Sequence, residues 1–338
     1  MSGAGDDPEA LAILARDALT NGDEETAAPL LDAAARRIGN DARLWQWTGL
    51  LYRALDEHQV ALDAFAAAAK AAPGDALIAH GRARVALEAG LDARSLFDTA
   101  LLLGPSGEVL LGRAAARFAM GEDEAAIEEM AQLLDRNPGW SQGHVQWAQL
   151  AAKAGRADEA TTTIDRALGA QPRDAALWLA AIDIETKAER HAAVWRRADA
   201  AIVATGDEAR FALPRASALS DAGETERATA AFDALGEPQQ AGHALLLARH
   251  FIRVGNPTGL AQLADRWMNG DSAHLFWPYA SIAWRQSADP RWQWLEGDER
   301  LISITDLSPR LPPLDQLAVC LRTLHASSGR YLDQSVRG

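Results

Sequence analysis

The sequence has 338 residues, with 33 lysines and arginines against 47 aspartates and glutamates, for a formal net charge of −14. Apolar residues make up 48% and charged residues 24%, which excludes a disordered chain, and the absence of an 18-residue apolar run excludes a membrane-spanning helix. The acidic balance argues against nucleic acid as a partner, because a polyanion repels a chain of net negative charge.

The first nineteen residues, MSGAGDDPEALAILARDAL, place Asp6, Asp7 and Glu9 where a secretory signal would be basic. Arg16 and Asp17 then interrupt the apolar stretch, so no signal peptide is expected and a cytoplasmic location is. From there a long period governs the chain. Pro73, Pro105, Pro138 and Pro172 fall 32, 33 and 34 residues apart. Gly22, Gly90, Gly121, Gly155, Gly223 and Gly255 mark the midpoints of the repeats. Between these marks, small and apolar residues recur three and four apart, as on one face of a helix. Each period therefore reads as a helical hairpin. Glycine permits the tight turn after its first helix, and proline stops its second.

The clearest unit is 42–75, which contains Trp45, Gly49, Tyr52, Ala61, Phe65, Ala68 and Pro73. These residue types at these offsets resemble the tetratricopeptide repeat, with Thr48 standing where that family usually has leucine. Upstream, Leu11, Ala15, Ala18, Gly22, Ala27, Leu31 and Ala34 repeat the register 34 residues earlier. Downstream follow Ala93, Phe97, Ala100 and Pro105, then Gly121, Ala126 and Pro138, then Ala148, Gly155, Ala160, Ala167 and Pro172. A weaker hairpin begins near Trp178 with Glu189 in place of the turn glycine. Another carries Gly223, Ala228 and Phe232, and a last one turns at Gly255. The expected fold is all-α: a right-handed solenoid of about eight hairpins over residues 8–270, in which stacking buries what one hairpin leaves exposed.

After Gly270 the residue register is lost, and 271–338 is expected to be a small irregular cap or linker. HLFWPYASIAW (274–284) suits one more helix, entered through Pro278. LISIT (301–305) is β-branched and alternating, which predicts a short strand. LDQLAVCLRTLHA (314–326) has helical spacing, with Asp315 in its first turn and Cys320 expected to be buried. As the sole cysteine, Cys320 excludes an internal disulfide. DPRWQWLEGD, LAVCLRTLH and the terminal LDQSVRG resemble the junction between tetratricopeptide repeats and an iron- and 2-oxoglutarate-dependent oxygenase domain in certain bacterial proteins. That resemblance implies that the repeats recruit a substrate or partner to a catalytic domain beyond Gly338, where Fe(II) and 2-oxoglutarate would bind.

No cofactor or metal is expected in this chain itself. None of the eight histidines, His58, His80, His144, His191, His243, His250, His274 and His325, is followed at the second position by Asp or Glu, so the usual H-x-D/E of a facial triad is missing. Phosphate-loop, zinc-protease and nucleophile-elbow motifs are also missing. His243 and His250 are seven apart and share a helix face, which reads as two polar positions on one hairpin.

In the tetratricopeptide family the first helix of each hairpin lines a concave groove. The positions that resemblance assigns to the groove carry Arg16, Arg43, Arg53, Arg84, Lys153, Lys187, Arg210, Arg249 and Arg253, with Gln46, His80 and Gln149 beside them. The same positions carry the acidic Glu9, Glu88, Glu108, Asp183 and Asp221. Nine basic residues against five acidic ones, in a chain of net charge −14, predict a protein or peptide partner bearing carboxylates. The lysine of the family's chaperone-tail clamp is missing from its position, which disfavours that ligand. Trp277, Trp284, Trp292 and Trp294 lie within 18 residues and read either as an apolar docking surface, including one for a second copy, or as a core that seals the last hairpin.

Overall fold

The computed structural model describes residues 7–324. Among these, all regular structure is helical. The hairpins pair α1 (Pro8–Asn21) with α2 (Glu24–Ile38), α3 (Ala42–Ala54) with α4 (His58–Ala71), α5 (Ala76–Glu88) with α6 (Arg94–Leu103), and α7 (Gly107–Ala119) with α8 (Asp123–Arg136). They continue as α9 (Ser141–Lys153) with α10 (Thr162–Ala170), α11 (Ala175–Lys187) with α12 (His191–Thr205), α13 (Glu208–Asp221) with α14 (Thr225–Leu235), and α15 (Ala241–Arg253) with α16 (Pro257–Trp267). α17 (Ala273–Gln286), the short α18 (Arg291–Leu295) and α19 (Leu314–Leu324) follow. The chain forms two compact units, one containing α1 to α8 and the other containing residues 137–149 and 156–317.

The local chemistry explains where the helices begin and end. Asp41, Asp75, Ser106, Asp174 and Asp207 accept hydrogen bonds from the first-turn N–H groups of α3, α5, α7, α11 and α13, which satisfies donors that the helix itself leaves free. α4, α6, α8 and α10 each stop two residues before Pro73, Pro105, Pro138 and Pro172. A residue before proline is pushed out of the helical region.

The turn inside each hairpin has one recurring geometry. Its residue has a left-handed backbone at Gly22, Asp56, Gly90, Gly121, Gly155, Glu189, Gly223 and Gly255. At Gly90, for example, the N–H of Gly90 donates to Leu87 and that of Leu91 to Ala86, at 3.0 and 2.9 Å. Glu189 reproduces the pattern with a φ of 54°, its N–H donating to the carbonyl of Thr186 and that of Arg190 to the carbonyl of Glu185. Although the residue register is lost after Gly270, Ala288 adopts the same turn, with a φ of 53° and the Asp289 N–H on the carbonyl of Trp284 at 2.8 Å.

Between helices, glycines admit aromatic rings. A β-carbon placed on Gly49 would lie 2.7 Å from Phe65, and one on Gly81 would lie closer still to the other edge of the same ring. Phe97 stands in the same relation to Gly112. Phe65 and Phe97 are both fully buried, so each ring is a plug between first helices of successive hairpins.

Several expectations for the C-terminal region are corrected. LISIT is not a strand: Glu299–Leu301 is one 3-10 turn, and 302–307 has no regular structure. No strand lies among the described residues to supply the ladder that a strand needs. Pro278 sits within α17 rather than at its entry. The bond it forfeits belongs to the carbonyl of the exposed His274, which water can serve. Cys320 is exposed rather than buried, because the apolar positions of α19, Leu314, Val319 and Leu321, are themselves exposed. His325, Ala326 and the LDQSVRG segment lie outside the described residues.

Candidate binding surface

In the first unit, the first helices carry a chain of ion pairs from one hairpin to the next. Glu9 of α1 binds Arg43 of α3 at 2.7 Å. Arg53 of α3 grips Glu88 of α5 with two hydrogen bonds, at 2.6 and 2.7 Å. Arg84, one turn before Glu88 on α5, reaches the same carboxylate at 3.2 Å. Two guanidiniums thus share one carboxylate, and a positive charge is left over. Burial alone would raise the Glu88 pKa, but the hydrogen bond and charge of Arg53, joined by Arg84, hold it below its ordinary value. Arg53 keeps 27% of its side chain exposed and Arg84 53%, so Arg84 is the arm that reaches water.

His80 lies beside this group, its ring centroid 6.2 Å from that of Phe97. Burial lowers its pKa, Glu108 opposes, and Arg84 and Arg53 lower it further. It is therefore neutral at pH 7 and offers a donor and an acceptor. Gln46 is half-buried on α3, while Arg16 is exposed on α1 and has no ion-pair partner among the described residues. Lys153 is exposed at the end of α9.

Gln149 is half-buried on α9. Lys187 pairs with Asp183 within α11 at 2.7 Å, and Arg210 pairs with Asp207 at 2.9 Å. Arg249 donates to the Tyr279 hydroxyl at 3.2 Å, and Arg253 binds Asp221 and the Ser220 hydroxyl. Four of the five acidic residues counted at groove positions, Glu9, Glu88, Asp183 and Asp221, are therefore each engaged by a counted basic residue. The uncompensated charge lies at Arg16, at Arg249, which meets a hydroxyl, and where Arg53 and Arg84 share Glu88.

The four tryptophans form one cluster in the second unit. Trp277 lies 6.3 Å from Trp284 and 6.0 Å from Trp294 between ring centroids. Trp284 is buried against Ala264 and Ala280, with Trp277, Trp292 and Leu295 packed beside it. The Arg291 guanidinium covers the Trp284 ring at 4.6 Å, a cation–π contact. Trp294 is 68% exposed. The cluster seals the end of α16 and α17 and leaves one indole facing water.

Sequence reasoning missed two buried polar networks. His250 of α15 is buried and lies 2.9 Å from both Ser220 of α13 and Thr229 of α14. Thr229 donates to the Thr225 carbonyl at 3.0 Å, so it must accept from Nε2–H of His250. The partners thus assign the neutral Nε2–H tautomer, with Nδ1 accepting from Ser220, whose oxygen accepts from Arg253. His243 does share the face of α15, and both rings pack on Phe232, with centroids 6.3 and 5.0 Å away. The second network centres on Glu185, 5% exposed, which Arg190 and Arg197 bind while Arg197 also holds Asp165. The spacing of Ser220 and His250, close to one repeat, was a usable signal for the first. A cavity of about 320 Å³ in the first unit is lined by Arg94, Arg113 and Arg117 with Asp92, Asp98 and Glu122, so its charges cancel. Among the described residues, no three His, Cys, Asp or Glu side chains are grouped to hold a metal ion.

Comparison with known proteins adds the fold. Yeast Tom70 superposes with a TM-score of 0.50 at 16% identity, over 81% of this chain and 62% of that one. A tetratricopeptide repeat protein from Parabacteroides merdae gives 0.43 at 17% identity, over 82% and 98%. MamA from Desulfovibrio magneticus gives 0.42 at 18% identity, over 50% and 98%. No protein-family model matches the chain, and no curated protein matches it. The chain is all-helical among its described residues, built of successive helical hairpins, and shares that fold with Tom70; no helix among the described residues is long and apolar enough to cross a membrane.

Proposed function

We propose that the chain is a protein- or peptide-binding module whose ligand presents a carboxylate to the surface formed by Arg84, Arg53 and His80. The observation that carries this reading is the sharing of Glu88 by two guanidiniums. Arg84 makes a single long bond there and has donors left for a second carboxylate, in the charge-assisted geometry that suits an acidic side chain or a chain terminus. Neutral His80 and half-buried Gln46 supply polar contacts that fix orientation without adding charge. Within the first unit, exposed Arg16 and Arg43 supply further positive charge for such a ligand. The single cysteine, which can form no internal disulfide, supports a cytoplasmic setting.

The test uses a fluorescent glutamate-rich peptide and its glutamine counterpart. Anisotropy should report binding of the acidic peptide at low ionic strength, weaker binding at physiological ionic strength, and further loss in Arg84→Ala. Equal affinity for the two peptides would overturn the reading.

A narrower reading rests on the resemblance of DPRWQWLEGD and LAVCLRTLH to an oxygenase junction. In it, the module holds a substrate protein near an iron- and 2-oxoglutarate-dependent domain, raising local concentration without supplying chemistry. These 338 residues should then give no charge-transfer band when titrated anaerobically with ferrous iron and 2-oxoglutarate. A stoichiometric band would place the metal site within this chain.

A further inference from the structure

Residues 302–307, which follow the 3-10 turn at Glu299–Leu301, have no regular structure and leave a run of apolar side chains facing water. Leu301, Ile302, Ile304 and Leu307 are 65%, 70%, 96% and 51% exposed. Ile302 has extended backbone angles, φ −108° and ψ 120°. The N–H groups of Ser303 and Thr305 have no hydrogen-bond partner among the described residues, nor do the carbonyls of Leu301 and Ser303. The segment has the composition of a strand and lacks a strand to pair with.

Its sequence answers the question of what that strand is. Placed antiparallel to itself about Ser303, Ile302 faces Ile304, and Arg300 faces Asp306. The twofold axis doubles each match, giving two Ile–Ile pairs and two Arg–Asp pairs. All four residues, at even positions, lie on one face of the ribbon. In the register where Ser303 exchanges both its backbone bonds with its copy, Thr305 N–H meets the Leu301 carbonyl. The Ile–Ile and Arg–Asp pairs then occupy the positions where facing side chains approach most closely. Arg300 is 90% exposed and tied in this chain to Asp298 alone, with Asp306 engaged only by its neighbour Ser308. Both charges are therefore open to a second chain.

We propose that residues 300–306 pair with the same residues of a second copy as a two-stranded antiparallel ribbon, the 3-10 turn at Glu299–Leu301 opening into extended backbone on pairing, which makes the protein a symmetric homodimer through this segment. Isologous pairing is the expected geometry for a twofold dimer. A two-stranded ribbon is marginal by itself, so the dimer is weak and depends on concentration.

The experiment is sedimentation equilibrium of the full chain across a wide concentration range. The weight-average mass should rise from 36.2 kDa toward twice that value. Arg300→Asp sets like charges against each other at both ends of the ribbon and should weaken the dimer about tenfold. Asp306→Arg should do the same. The double variant restores opposite charges and should recover the wild-type association. Circular dichroism of each variant should be unchanged, since these positions lie outside the long helices. A chain that stays monomeric at every concentration would overturn the proposal. So would a dimer indifferent to both single reversals, or a double variant that does not recover.

Discussion

The ring of Phe65 fills the place where a β-carbon on Gly81 would stand, and its opposite edge does the same at Gly49. Side chain and missing side chain are one structural device, repeated 32 residues later by Phe97 against Gly112. Replacing Gly81 with alanine must therefore displace a fully buried ring in a close-packed interior. Gly81→Ala should cost about 1–3 kcal/mol, the usual scale of overpacking. Gly74→Ala, with open space around it, should be nearly neutral. Adding Phe65→Leu to Gly81→Ala should recover part of the loss, seen as coupling in a double-mutant cycle. Additive losses would show that the ring and the glycine are independent.

Glu189 is held in a left-handed backbone at a turn where most hairpins have glycine. That conformation crowds its β-carbon, at a cost of roughly 1–2 kcal/mol, while glycine adds unfolded-state entropy that offsets part of the gain. The side chain is exposed, so little contact is lost. Glu189→Gly should raise stability by up to about 1 kcal/mol in urea denaturation. A lower midpoint would mean that the glutamate side chain contributes more than the strain removes.

His80, His144, His243 and His250 all have lowered pKa values, with burial the chief cause. At His144 the Pro138 carbonyl opposes the shift, and at His250 Arg253 adds to it while Asp233 opposes. The folded protein keeps these rings neutral below the ordinary histidine value of about 6.5, whereas the unfolded chain takes up protons there. The unfolded state then binds more protons, so stability falls as pH falls. This contribution is fully present above about pH 6.5 and declines below it. The urea midpoint should be lower at about pH 5.5 than at about pH 7.5, before carboxylates such as Glu88 begin to protonate. A midpoint that is flat or rises on acidification would contradict it.

Arg53 and Arg84 should separate in their effects. Arg53→Ala removes two hydrogen bonds from a carboxylate that is only 23% exposed and should cost about 1–2 kcal/mol. Arg84→Ala removes one exposed contact and should cost less than about 0.5 kcal/mol, while losing affinity for an acidic peptide. Thermal denaturation beside anisotropy on the same samples distinguishes them. Equal destabilisation by the two changes would refute the assignment of Arg84 as the outward arm.

The all-α hairpin architecture was written in the sequence. A left-handed turn strongly favours glycine, and a tight interhelical space demands a small residue, so these needs print themselves on residue identity at fixed offsets. Gly22, Gly90, Gly121, Gly155, Gly223 and Gly255 were legible for that reason, and each has the predicted backbone. Asp56, Glu189 and Ala288 show the limit of the code. Hairpin closure imposes the same turn on residues that do not favour it, and only the packed helices supply the energy. Charge was less legible still. Counting Arg53, Arg84 and Glu88 gave a sign, but their sharing of one carboxylate depends on side chains meeting across α3 and α5. His250 looked like one polar position among others until α13 and α14 closed over it with Ser220 and Thr229. LISIT carried the residues of a strand, but a strand is a pairing rather than a property of one segment. The tertiary structure decided that outcome, because it places no neighbouring strand among the described residues to accept those backbone bonds.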